Sequence, residues 1–173
     1  ADKSKKIQLF LKTLYQCDIT EKKSYKSSLK ELISNGDDYD FILMDMSMPN
    51  FDISEEEPDG GSHESFAGRD LLEQMKLREI ETSVFIITQY DTFGESFNKL
   101  SLEELKSQLN DQFCPIYKDT IYYNTAQENW KNELKEKLRH VNEENSQKKT
   151  ESEGQLKTIN NVTLTLNSST LKN

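Results

Sequence analysis

Phe41-Ile-Leu-Met-Asp45-Met-Ser-Met-Pro49 is a short apolar run that ends on a carboxylate. Four consecutive apolar residues are too few for a helix, and they are bounded by Asp37-Asp38-Tyr39-Asp40 on one side and Pro49 on the other. Such a run predicts a strand buried on both faces, as in a parallel sheet. Asp45 then falls just outside the carboxyl end of the strand, where open α/β sheets bind their ligands. Val84-Phe85-Ile86-Ile87 predicts a second strand ending in Thr88, and Phe113-Cys114-Pro115-Ile116-Tyr117 a third ending in Lys118. A carboxylate, a hydroxyl and an ammonium therefore follow one another at successive strand ends.

The segments between these runs carry helical periodicity. Ile7, Phe10, Leu11 and Leu14 predict a helix over 2–15, followed by a short strand at Cys17–Thr20. Tyr25, Leu29, Leu32 and Ile33 form a second helical face, closed by Asn35-Gly36. Leu71, Leu72 and Met75 predict a helix over 68–79, and Ser101–Leu109 repeats the period. Trp130, Leu134, Leu138 and Val141 line a helix over 125–141, with the Trp130 stripe read as core packing. Alternating helices and strands predict an α/β fold with a parallel sheet between two helical layers. Residues 142–160 are polar and predict a linker. Asn161–Leu166 alternates polar residues with Val162, Leu164 and Leu166, the pattern of an exposed edge strand.

Composition narrows the function. At 173 residues, 34% hydrophobic, the chain holds one domain with a small core, and its mean hydropathy of -0.83 implies long solvated faces and tails. A net charge of -9 argues against nonspecific nucleic-acid binding, which needs Lys and Arg to neutralise phosphates. With no long apolar run and no signal peptide, the reading is a cytoplasmic protein without a membrane span. Cys17 and Cys114, placed in predicted strands without metal-ligand spacing, fit a reducing compartment. The Asn161-Val-Thr163 glycosylation pattern is then coincidental, and His63 and His140 read as solvent-exposed.

Asp45-Met-Ser-Met-Pro49, with Thr88 and Lys118 after it, resembles the receiver domain of bacterial two-component response regulators over roughly residues 2–141. The resemblance implies a flavodoxin-like (βα)5 fold in which Asp45 accepts a phosphoryl group from a histidine kinase or phosphotransfer protein. Thr88 would hydrogen-bond the acyl phosphate and Lys118 would pair with a phosphoryl oxygen, all three converging on one pocket. Mg²⁺ would be held by Asp45 and the Ser47 backbone carbonyl. The domain division is 1–141 receiver-like, containing an acidic insert at 50–67, then 142–173 as linker and tail with a short strand at 161–166. That tail is too short for a DNA-binding effector, so the implied output is protein contact, with a homodimer left open. No enzymatic activity is expected beyond accepting its own phosphoryl group. The alternative is a pseudo-receiver that binds a partner without phosphorylation. A haloacid-dehalogenase-like phosphatase would need a second Asp where Ser47 stands.

Several features depart from the family pattern. A receiver begins with a strand that ends in two acidic residues and lies inside a 2-1-3-4-5 sheet, whereas this chain opens on a helix; Asp2 lies near that position but matches the helix beyond it. Without that strand, core backbone groups would go unpaired. It lies upstream of Ala1, or it comes from a partner, another copy or the Val162–Leu166 segment, or the sheet has been rebuilt. The acidic insert Asn50–Ala67 replaces a short connection beside Asp45, either as a disordered excursion or as a lid or docking loop. Asp119 stands where the family has Pro, and Pro115 where it has an aromatic switch residue.

Overall fold

The computed structural model describes residues 3–94, 99–150 and 161–165; Asp2, Phe97, Leu166 and the segment 151–160 lie outside that set. In chain order the elements are α1 (Lys3–Leu14), β1 (Asp18–Lys22), α2 (Tyr25–Asn35), a 3-10 turn (Gly36–Asp38), β2 (Phe41–Met44), β3 (Met48–Pro49) and β4 (His63–Glu64). Then come α3 (Ala67–Leu77), β5 (Val84–Thr88), β6 (Thr92–Phe93), β7 (Leu100–Ser101), α4 (Leu102–Phe113), β8 (Tyr117–Tyr122), α5 (Asn129–Thr150) and β9 (Asn161–Thr165).

Five of these strands form one parallel sheet in the order β1-β9-β2-β5-β8. Side-chain alternation divides its burial between two faces. Phe41, Leu43, Phe85 and Ile87 pack with Ile7 and Leu11 of α1 and with Trp130, Leu134, Leu138 and Val141 of α5. Ile42, Met44, Val84 and Ile86 pack with Leu32 of α2, Leu71, Leu72 and Met75 of α3, and Leu105 and Leu109 of α4. The result is the expected three-layer α/β/α arrangement. Trp130 lies in the core, with its ring 5.4 Å from Phe10 and 5.0 Å from Tyr123. Helices α2 and α4 each start with a capping box, Ser24 with Ser27 and Ser101 with Glu104, which satisfies backbone donors that a helix start leaves open.

Three sequence expectations are corrected. The segment after residue 160 is not an edge strand: β9 lies between β1 and β2, with Ile19↔Val162 on one side and Leu43↔Leu164 on the other. It fills the place that the 2-1-3-4-5 order gives to a receiver's first strand. Thr163 and Thr165 are buried as fully as Val162 and Leu164. Threonine's branched side chain fits a covered sheet face, and the Thr165 hydroxyl donates to the Leu43 carbonyl at 3.5 Å. Second, residues 142–150 continue α5 instead of forming a linker, because they contain no helix breaker and make pairs such as Arg139–Glu143.

The third correction shifts the last sheet-edge strand. Helix α4 runs on to bury Phe113, and Cys114-Pro115-Ile116 turns the chain, so β8 starts only at Tyr117. Neither cysteine lies in a strand: Cys17 precedes β1, and Cys114 caps α4.

The acidic insert takes the form of a docked hairpin. Met48 and Pro49 pair antiparallel with Glu64 and His63. The Asn50 and Phe51 backbone amides donate to the Ser62 and Gly60 carbonyls at 3.0 and 2.9 Å. Lys26 of α2 fastens it twice, its amide donating to the Asn50 carbonyl at 3.1 Å and its ammonium lying 4.2 Å from the Phe51 ring centroid.

Candidate functional site

Strand β2 carries Asp45 to the carboxyl rim of the sheet, where its side chain is only 5% exposed. The Asp45 amide donates to the Thr165 carbonyl at 2.7 Å, so the end of the inserted central strand fixes the backbone of this residue. On the other side α3 begins against it: the Gly68 amide donates to the Met46 carbonyl at 3.0 Å. A Cβ at Gly68 would lie 2.6 Å from the Asp45 carbonyl oxygen. Glycine is required there by this close approach of two backbones.

The carboxylate itself is asymmetric. Asp45 Oδ2 accepts from Lys3 Nζ at 2.8 Å, and the same ammonium donates to the Ile87 carbonyl at 2.7 Å. Asp45 Oδ1 is buried and has no hydrogen-bond partner among the described residues. One oxygen is thus held and the other is a buried acceptor without a partner among the described residues, a state that native structures normally satisfy.

The trio expected from sequence separates. Thr88 lies at the end of β5, one residue beyond the Ile87 carbonyl that Lys3 grips, so it shares the rim with Asp45. Its hydroxyl accepts from the Tyr90 amide at 3.2 Å. Lys118 does not join them. It follows Tyr117, which pairs with Val84 at the opposite end of β5, and it lies four residues before Tyr122, the partner of Thr88. That places it roughly 13 Å along the strand from the rim, where it forms an ion pair with Glu144 at 3.1 Å. The slip has a physical origin in β8, an edge strand whose Tyr117-Lys-Asp-Thr sequence is too polar to read as a strand. Asp119 belongs to the same remote cluster, in contact with Lys137 and Lys106. What leaves β8 at the rim is Tyr123, its amide donating to the Thr88 carbonyl at 2.7 Å, followed by Asn124.

Ser47 is buried next to the site, and its hydroxyl is 2.9 Å from His63 Nδ1 on the insert hairpin, so the hairpin touches the Asp45 loop directly. Lys3, Tyr123, Gly68 and His63 were not identified as site residues from the sequence. A lysine opening an amphipathic helix carries no signal that distinguishes it from a solvated one.

A five-stranded parallel sheet sandwiched by helices, with a buried aspartate at its carboxyl rim, defines a receiver-like α/β fold. The chain is 32% identical over 121 residues to the Detocs response regulatory protein DtcB of Enterobacter cloacae, covering 70% of this chain and 80% of that protein. It therefore belongs to the family of response regulatory proteins that DtcB represents. It is also 29% identical over 96 residues to the uncharacterized protein y4jR of Sinorhizobium fredii, covering 56% of this chain and 64% of the relative. No protein-family model and no solved structure matches the chain.

Proposed function

We propose that Asp45 accepts a phosphoryl group from a partner histidine kinase or phosphotransfer protein and that the phosphorylated domain signals through protein contacts. The observation that supports this reading is Asp45 Oδ1, buried but unpartnered among the described residues, at the carboxyl rim of the sheet. A carboxylate oxygen donates an electron pair to phosphorus, the bond from phosphorus to the donor's nitrogen or oxygen breaks, and the leaving group departs with the pair of the broken bond. Such transfer depends mainly on positioning and charge neutralisation, so a carboxylate suffices as nucleophile.

Mg²⁺ is part of the proposal. Among the described residues no cluster of three or more His, Cys, Asp or Glu side chains surrounds Asp45. The Asp45 carboxylate and the Ser47 backbone carbonyl would hold it, since Mg²⁺ takes most of its ligands from phosphate and water. When bound, it supplies charge neutralisation on the phosphoryl oxygens. Thr88, one residue past the Ile87 carbonyl that Lys3 grips, would carry a change at Asp45 into the following loop, the local event on which such switches depend.

Incubation with acetyl phosphate and Mg²⁺ tests the reading by intact mass. The wild-type chain is expected to gain about 80 Da, the mass of one phosphoryl group in aspartyl chemistry, and Asp45→Asn to gain nothing. Labelling of neither would favour the phosphorylation-independent interaction module, a reading supported by the distance of Lys118 from the rim, and equal labelling of both would mean an acceptor other than Asp45.

A further inference from the structure

We infer that Lys3 is the fixed cation of the Asp45 site and neutralises the phosphoryl group during transfer, the role the family resemblance implies for Lys118; this rests on Asp45 being the acceptor. Lys3 opens α1, yet its side chain is only 7% exposed, an unusual state for a lysine. Its ammonium is fixed from two sides, by Asp45 Oδ2 at 2.8 Å and the Ile87 carbonyl at 2.7 Å. An ammonium has three donors, so among the described residues one N–H is left after these two contacts. The Tyr123 ring centroid lies 5.8 Å from Nζ, at the outer limit of a cation–π contact, and does not consume that donor.

Among the described residues, Lys3 Nζ is the cationic group that touches Asp45. Lys118 and its neighbours Lys106 and Lys137 are engaged with Glu144 and Asp119 at the other end of β8. Phosphoryl transfer to Asp45 adds negative charge next to Nζ, beside whatever charge a bound cation neutralises. A charge already fixed there needs no reorganisation as the reaction proceeds, and preorganised charge of this kind acts chiefly on the transition state. The Ile87 contact adds a second consequence. Lys3 joins the end of β2 to the end of β5, so a new phosphoryl partner for Nζ competes with the carbonyl one residue before Thr88.

The test compares wild type with Lys3→Met and Lys3→Arg by the rate of adduct formation across acetyl phosphate concentrations, with thermal melts of each protein. Lys3→Met keeps the buried chain and removes the charge; its maximal rate is expected to fall about 100-fold, with little change in the half-saturating concentration. Lys3→Arg keeps the charge and is expected to hold within about tenfold of wild type, although its planar group matches the site less well. A Lys3→Met protein that melts cooperatively and labels at the wild-type maximal rate overturns the assignment while leaving Asp45 as acceptor. So does a folded Lys3→Arg protein with no detectable labelling. Absence of an adduct on wild type overturns the acceptor reading and this inference with it. Should Lys3→Met unfold, Lys3→Arg decides the matter: labelling within tenfold supports a charge role, and loss of labelling contradicts it.

Discussion

Leu164→Asp is expected to abolish cooperative folding. Leu164 is fully buried in β9, with Glu21 of β1 and Leu43 of β2 as register partners, on the face covered by α1 and α5. An aspartate among these apolar side chains would be a buried charge or would have to bind a proton. Either costs several kcal/mol, which is comparable to the whole stability of about 5–15 kcal/mol for a domain of this size. Circular dichroism melts should show no two-state transition for Leu164→Asp, whereas Leu164→Val should lower the midpoint by only a few degrees. A Leu164→Asp protein that melts like wild type would mean that β9 does not occupy the centre of the sheet.

Gly68 gives the second large effect, and its sign is diagnostic. In an unobstructed helix, Ala in place of Gly gains up to about 1 kcal/mol. Here the added Cβ would meet the Asp45 carbonyl oxygen at 2.6 Å and Met46 Cα at 3.1 Å, both backbone atoms that cannot rotate aside. Overpacking of this kind costs about 1–3 kcal/mol, so Gly68→Ala should destabilise in urea titration and Gly68→Val more strongly. Because the clash falls on the residue proposed to carry the nucleophile, both variants should also slow labelling of Asp45. A stabilised Gly68→Ala protein would show that α3 does not abut the Asp45 loop this closely.

The parts of this fold that the sequence revealed are those in which burial and composition agree. Phe41–Met44 and Val84–Thr88 are central strands covered on both faces, so each reads as an unbroken apolar run, and each delivers its rim residue where expected. Strand β8 is an edge, and its first half carries Lys118 and Asp119, balanced by α5 and α4 side chains that no local pattern announces. The apolar residues before it, Phe113 and Ile116, end a helix and a turn. Strand β9 misled through its threonines, which count as polar in an alternation but lie fully buried at 163 and 165. Lys3 was illegible for a different reason. Its role depends on α1 starting beside the ends of β2 and β5, a juxtaposition set by tertiary packing alone.

The central claim is that the acceptor is the carboxylate of residue 45. An acyl phosphate is reduced by borohydride, which converts a phosphorylated aspartate into homoserine, whereas phosphorylated serine and histidine are not converted in this way. Treating the acetyl phosphate-labelled wild-type chain with sodium borohydride and sequencing its peptides by mass spectrometry locates the modified residue. Homoserine at position 45 alone is the predicted result; the label on Ser47, on His63 or on another carboxylate, with residue 45 intact, would contradict the account.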